Sequence, residues 1–153
     1  MQIRDMTEDE CRHALARLSF GRLGCARENQ PYVVPIYFAY DGRHLYGFST
    51  PGRKIEWMRV NPLVCLEVDE RTSIDDWLSV VVDGRYEELT DTPEFANDRA
   101  HALQALQQHA TWWGYAAIPG AEWRRKPGRF TPIFYRIRID RLSGHRATPA
   151  KPA

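Results

Sequence analysis

The chain has 153 residues and a formal net charge of +1, and 43% of its residues are hydrophobic while 27% are charged. This length supports one domain with its own core, and the balanced charge argues against a nucleic-acid binder or a membrane-surface binder. The three cysteines form no C-x-x-C pair and the five histidines lack ligand spacing, so neither a disulfide framework nor a metal site is predicted. The polar N-terminus and the absence of a run of about 20 apolar residues predict a cytoplasmic protein.

The first part of the chain predicts a helix and then three strands. Thr7 and Glu10 have the spacing of a capping box, so a helix should begin there and end near Leu18. Three runs rich in β-branched and aromatic residues follow, and Asp41-Gly42 between the last two is a hairpin signal. We expect an antiparallel meander of residues 20–28, 32–40 and 44–50.

The second part predicts three more strands and two more helices. A short helix should cover 53–60, a second should begin near Pro93, and Gly84 should mark a bulge. The strands are expected at residues 63–69, 77–89 and 132–142. Six strands with little room for crossovers predict a mainly β, α+β domain, an antiparallel barrel that is closed or partly closed, with two or three flanking helices. This domain should span residues 1–144, with a disordered tail at 145–153.

The turn from Ser49 to Lys54 is a candidate phosphate site. Ser49 and Thr50 supply hydroxyls, Gly52 lets the backbone approach a ligand, and Arg53 and Lys54 bring two positive charges. All of these lie at a predicted helix N-terminus, which favours anions. Arginine offers a planar fork and lysine a point charge, so the pair could hold a phosphate from two directions. A solvated basic turn is the alternative interpretation.

A proline within the second predicted strand points to a free backbone edge next to this turn. Pro35 cannot donate to a β-ladder, so the strand should be an edge strand or bulged there. The backbone groups of Val34, Ile36 and Tyr37 would then be available to a planar ligand. Protection of the edge against aggregation is the alternative explanation.

Three motifs, in this order, resemble the flavin-binding split-barrel family related to pyridoxamine 5′-phosphate oxidase. They are F-S-T-x-x-R-K followed after six residues by N-P, then W-x-S-V-V-V-x-G-R, and finally Y-R-I-R-I-x-x-L-S-G. The likeness covers residues 20–144 and is greatest to the nitroimidazole-resistance-like subgroup.

This resemblance implies a homodimer with FMN at the interface. Arg53 and Lys54 would hold the phosphate, supported by Ser49 and Thr50. The strand from Val34 through Pro35 and Ile36 to Tyr37 would face the isoalloxazine ring. The partner chain would contribute from the aromatic loop, where Trp113 and Trp123 are the candidates.

Two functions remain open at this point. The first is an FMN-dependent oxidoreductase that passes electrons from a reduced donor to a small organic acceptor. The second is a flavin or haem carrier or sensor without turnover, because no acid–base pair or nucleophile is evident and no catalytic residue can be assigned. A deazaflavin is an alternative cofactor. The basic, tryptophan-rich loop at 111–130 could contact nucleic acid, but the near-zero net charge argues against it.

Overall fold

A computed structural model describes residues 1–108 and 132–150 of the chain. The described strands are β1 (Gln2–Asp5), β2 (Phe20–Arg27), β3 (Gln30–Tyr37), β4 (Ala39–Tyr40), β5 (His44–Ser49), β6 (Leu63–Arg71), β7 (Trp77–Leu89) and β8 (Ile133–Thr148). The described helices are α1 (Glu8–Arg17), α2 (Arg53–Val60) and α3 (Ala96–Gln108), and a 3-10 turn at Pro93–Phe95 leads into α3. The six predicted strands correspond to β2, β3 and β5–β8, and the short strands β1 and β4 were not predicted.

The strands form one antiparallel sheet that is partly closed, because its two end strands are neighbours in the chain. Their order is β3-β2-β6-β7-β8-β5-β4, and β1 pairs with β8. The strands at the two ends of this order, β3 and β4, are separated in the chain by Phe38 alone. Covalent continuity therefore brings the ends of the sheet together, which confirms the predicted split barrel.

The predicted meander is wrong in one respect, because its second strand divides at Phe38. This side chain is 1% exposed, and its N–H donates to the Ser19 carbonyl at 2.9 Å instead of continuing the ladder. The Asp41-Gly42 turn consequently joins β4 to β5, and β5 pairs with β8 along its whole length. Among the described strands, β3 pairs only with β2.

The predicted disordered tail at 145–153 is wrong for its first four residues. Strand β8 continues to Thr148, and residues 145–148 pair with β1. Gly144 lies within this strand, where an added Cβ would come within 2.9 Å of both the Cys11 Sγ and the Ser79 carbonyl oxygen. The glycine therefore permits close packing there and does not end the strand.

Two local predictions from the sequence are confirmed, the capping box at Thr7 and the bulge at Gly84. The Thr7 side chain accepts from the Glu10 N–H at 3.3 Å while the Glu10 carboxylate accepts from the Thr7 N–H at 2.8 Å, so the capping box forms. The β7–β8 register shifts between Asp83 and Gly84, which is the predicted bulge.

The helices cover the sheet and fix the turn that precedes α2. Helix α2 buries Ile55 and Met58 completely in the barrel core, and burial of such side chains stabilises by about 1.5–3 kcal/mol each. Helix α3 packs a second cluster with Ala102 and Leu106 against Phe134. No helix in the described part of the chain is long and apolar enough to cross a membrane.

Candidate functional site

The Ser49–Lys54 turn lies between the end of β5 and the first residues of α2. Ser49 is buried and its hydroxyl donates to the Thr50 carbonyl at 2.9 Å, which ties the end of the strand to the turn. Thr50 is exposed, and Gly52 is the N-cap residue of α2 without a side-chain hydrogen bond to the helix. The N-terminus of α2 thus has no side-chain cap of its own and is open to an external acceptor.

Arg53, the first residue of α2, is held over an aromatic ring from β3. Its Cζ lies 5.0 Å from the centre of the Tyr32 ring, a cation–π contact. The Tyr32 ring in turn lies 5.6 Å from the ring of Trp57, one helical turn after Arg53. Stacking restrains the guanidinium on one face while its N–H groups remain available for a ligand.

Lys54 is half-buried beside the barrel wall. Desolvation lowers the pKa of its amine below the ordinary value, and the Cys25 thiol on β2 partly opposes this shift. Burial raises the pKa of Cys25 in turn, and the Lys54 charge partly opposes that shift. The lysine therefore carries its charge in a poorly hydrated place, where an added anion would interact strongly.

Among the described residues, no carboxylate oxygen lies within 4.0 Å of a side-chain nitrogen of Arg53 or Lys54. Arg59, further along the same helix, shows the contrast, because its guanidinium binds the Glu88 carboxylate through two hydrogen bonds of 2.7 and 2.8 Å. Most other arginines of the described chain also contact a carboxylate, and these are Arg4, Arg12, Arg17, Arg22, Arg85, Arg99, Arg136, Arg138, Arg141 and Arg146. Arg53 and Lys54 are thus two adjacent charges without an internal counter-ion in the described part of the chain.

The start of α2 contacts β3 at Tyr32, beside a seam where the second edge of β3 pairs with no described strand. Strands β4 and β5 pair Ala39 with Tyr46 and Tyr40 with Leu45. This pairing does not continue past Phe38, whose N–H donates to the Ser19 carbonyl, and the Arg53 guanidinium over the Tyr32 ring is the described contact between the turn and β3. The fold therefore brings one of the two cations, Arg53, to the strand that carries the predicted free edge.

Along the seam the protein offers backbone more than side chains. Ile36 is buried in the core and Val34 packs against it, while Pro35 and Tyr37 are exposed. Pro35 pairs with Arg22 of β2 in register, so the strand is an edge strand at the proline, as predicted. Their binding of a cofactor stays a prediction, as does that of Ser49, Thr50, Arg53 and Lys54.

Two predicted residues lie outside the described part of the chain, and two neighbours of the cations were not predicted. Trp113 and Trp123, the candidates from the aromatic loop, lie outside the described residues. Tyr32 and Cys25 were not predicted as neighbours of the two cations. The sequence carries no signal for them, because both contacts cross between a hairpin and a helix that begins more than twenty residues later.

Comparison with known proteins places the chain in a family. Residues 7–146 match the family model described as pyridoxamine 5′-phosphate oxidase. The chain therefore belongs to the pyridoxamine 5′-phosphate oxidase family, which confirms the resemblance predicted from the sequence.

Three relatives show how far the similarity extends. A FAD-binding protein from Mesorhizobium loti, known from a crystal structure, is 44% identical in sequence to this chain. The two structures align with a TM-score of 0.77 over 97% of this chain and 99% of the other. An uncharacterized protein of Rhizobium meliloti (strain 1021) is 40% identical over 150 residues, or 96% of this chain and 97% of the relative. The FAD binding protein from Mycobacterium smegmatis is 19% identical with a TM-score of 0.66, covering 95% of this chain and 98% of that one, and shows the shared fold.

The environment of Lys54 can be tested by NMR in the free protein. Because burial disfavours the charged amine, its pKa should lie below the ordinary lysine value of 10.5, and inorganic phosphate should raise it. The chain has only three lysines, so selective ¹³C labelling followed by a pH titration resolves them, and the signal missing from Lys54→Arg identifies Lys54. An ordinary pKa that phosphate does not change would contradict the proposed environment.

Proposed function

We propose that the chain binds a flavin through its riboflavin 5′-phosphate unit, with FMN as the smallest complete ligand. The observation that carries this proposal is a pair of cations without a described counter-ion, Arg53 and Lys54, at the start of a helix that contacts β3, whose second edge pairs with no described strand. A ligand with a dianion at one end and a planar ring at the other matches both parts. The relative from Mesorhizobium loti supports it, since that protein is named as FAD-binding and FAD contains the same unit.

Each part of the site has a separate task in this proposal. Arg53, held on Tyr32, would give two parallel N–H groups to the phosphate, and Lys54 would add a desolvated charge from the other side. The N–H groups at the start of α2 would complete the phosphate site. The backbone of residues 34–37 would align the ring and exclude water from one of its edges.

The charges at the turn are tested by comparing FMN with riboflavin, which lacks the phosphate. Charge-assisted contacts contribute about 1.5–3 kcal/mol each, so Arg53→Ala with Lys54→Ala should weaken FMN binding at least about a hundredfold. Riboflavin binding should change little, because its ring contacts are intact. Quenching of flavin fluorescence on titration gives both dissociation constants.

The matched control is Arg43→Ala. Arg43 is an exposed arginine in the β4–β5 turn, and it has no described ion pair. It should leave both ligands unaffected. Equal losses for FMN and riboflavin in the double variant would mean damage to the ring site. Unchanged FMN binding would place the phosphate elsewhere.

We further propose that the flavin-loaded protein is an oxidoreductase. A bound flavin supplies two-electron redox chemistry, and the protein supplies position and protection from water. A reduced nicotinamide would be oxidised by two electrons, and a small organic acceptor would be reduced by two. The second candidate is a carrier or sensor, favoured by the absence of a carboxylate or histidine among residues 32–37 and 49–54.

Turnover separates these two functions. With an enzyme, FMN-loaded protein should consume NADH or NADPH steadily when a quinone or nitroaromatic acceptor is present, as followed by the nicotinamide absorbance. The Arg53→Ala and Lys54→Ala variant should lose this rate at the same FMN concentration. Loaded protein that shows no consumption above free FMN would favour the carrier or sensor.

We also propose a homodimer in which the second chain closes the cofactor site. Exposed aromatic side chains on the outer face of β2 and β3 support this, since the rings of Phe20 and Tyr37 lie 4.9 Å apart and each is 43% exposed. Aromatic residues are enriched in protein interfaces. A partner covering this patch would lie beside residues 34–37.

The dimer is tested by a charge placed in the aromatic patch. Phe20→Glu should reduce the mass in sedimentation equilibrium from two chains to one, because a buried carboxylate opposes association, and should weaken FMN binding as well. Ile3→Glu is the control, since Ile3 is 51% exposed on β1, which the sheet order separates from β2 by β6, β7 and β8. A wild-type protein of one-chain mass would refute the proposal.

A further inference from the structure

A second pocket lies between helix α1 and the strands β1, β8 and β7. Its volume is about 240 Å³, and none of its described lining residues belongs to 32–37 or 49–54, the segments of the proposed flavin site. A water molecule takes up about 30 Å³ of the liquid, so the pocket has room for roughly eight or nine non-hydrogen atoms. It is smaller than the usual site for a drug-sized ligand and therefore suits a compact one.

One row of register partners forms the sheet side of this pocket. Arg4 of β1 lies opposite Arg146 of β8, and Arg146 lies opposite Leu78 of β7. Directly opposed residues of antiparallel strands share one face of the sheet, and Leu78 belongs to the barrel core. The two arginines therefore lie on the core-facing side of the sheet, and all three residues line the pocket.

Helix α1 forms the other side of the pocket. Glu10, Ala14 and Arg17 line it, and their spacing of four and three residues places them on one face of the helix. Ion pairs join this face to the sheet. Arg4 donates to the Glu10 carboxylate through hydrogen bonds of 2.9 and 2.7 Å, and Arg17 donates to Glu70 of β6. The walls of the pocket are thus held together by contacts at its rim.

Positive charge is in excess in the described lining of the pocket. Arg4 and Arg146 are opposite each other, and like charges in this arrangement are unfavourable. Their carboxylates come from different directions, since Arg4 binds Glu10 of α1 and Arg146 binds Asp76 before β7 at 3.0 Å. Glu10 is the one carboxylate in the described lining, against three arginines. An anion in the pocket would therefore be attracted.

Two of the arginines keep hydrogen-bond donors for a ligand, beside an apolar surface. Arg146 uses Nη2 for its ion pair, which leaves Nε and Nη1, and Arg17 uses Nη1, which leaves Nε and Nη2. A planar guanidinium with two such N–H groups matches the geometry of a carboxylate. Leu78 and Ala14, both buried, and Met6, half-buried, complete the lining. The pocket thus combines a carboxylate-binding edge with an apolar floor.

We propose that this pocket binds a small organic acid with an apolar body, of the aryl or branched-chain carboxylate class. The carboxylate accepts from Arg146 and Arg17, and its charge compensates the opposition between Arg146 and Arg4. The apolar body packs against Leu78 and Met6. Inorganic phosphate would satisfy the arginines but would leave the apolar floor uncovered, so it is the poorer ligand.

Benzoate tests this assignment through the methionine methyl groups. The chain has three methionines, and Met6 lines the pocket whereas Met58 is completely buried in the barrel core. With ¹³C-methyl labelling, benzoate should shift the Met6 signal, because an aromatic ring then lies beside it, and should leave the Met58 signal in place. Benzamide, the same ring without the charge, should bind at least about tenfold more weakly. The signal missing from Met6→Leu identifies Met6.

Two variants and a matched control test the arginines in the same titration. Arg146→Gln and Arg17→Gln should each weaken benzoate binding at least about tenfold, since each removes a charge-assisted contact. Arg141→Gln is the control, because Arg141 also lies on β8 and donates to an aspartate, Asp83, at 2.9 Å, but does not line the pocket. Its affinity for benzoate should equal that of the wild-type protein.

Circular dichroism shows whether each variant is folded. Arg17→Gln decides the question if Arg146→Gln does not fold, since an ion pair as exposed as that of Arg17 contributes little to stability. A Met6 signal that benzoate does not move, equal binding of benzamide, or unchanged benzoate affinity in Arg17→Gln would overturn the proposal. Phosphate binding as tight as that of benzoate would show an unselective anion site, which also overturns it. No flavin takes part, so each of these results is independent of the proposed function.

Discussion

The site depends on a helix that begins with two cations and cannot move to find them partners. Ile55 and Met58 fix α2 in the barrel core, and Arg59 ties its last turn to Glu88 of β7. Burying a charge without a partner is costly, and here the cost falls mainly on the half-buried Lys54. An anion that binds at the turn relieves this cost, because it acts where hydration is already reduced.

The irregularity that divides the predicted second strand also creates the seam beside this helix. Phe38 enters the core and gives its N–H to Ser19, so β3 and β4 do not form one continuous strand. Pro35 removes a donor from the same strand. Strand β5 therefore pairs with β4 for two residues and has no described pairing with β3, which leaves the second edge of β3 unpaired among the described strands.

Features whose signals lie within a few neighbouring residues were predicted from the sequence, whereas contacts between distant segments of the chain were not. The capping box at Thr7, the Gly84 bulge, helix α2 and the Ser49–Lys54 turn were all predicted, because their signals lie within a few residues. The pairing of β1 with residues 145–148 was missed, since it joins the two ends of the chain. The Tyr32 ring beneath Arg53 was also missed, because this contact joins a hairpin to a helix that begins more than twenty residues later.

The electrostatic interaction between Lys54 and Cys25 bears on why the described part of the protein holds no counter-ion for the turn. A thiolate beside an ammonium could serve as its counter-ion, and the turn would then need no external anion. Burial acts first on Cys25, however, and raises the pKa of its thiol, with the neighbouring Cys65 adding to the shift. A pKa raised above the ordinary thiol value keeps the Cys25 thiol neutral at physiological pH, and desolvation lowers the pKa of the Lys54 amine. A neutral thiol supplies no negative charge to the Lys54 amine, so the proposed phosphate site would take its counter-ion from the ligand.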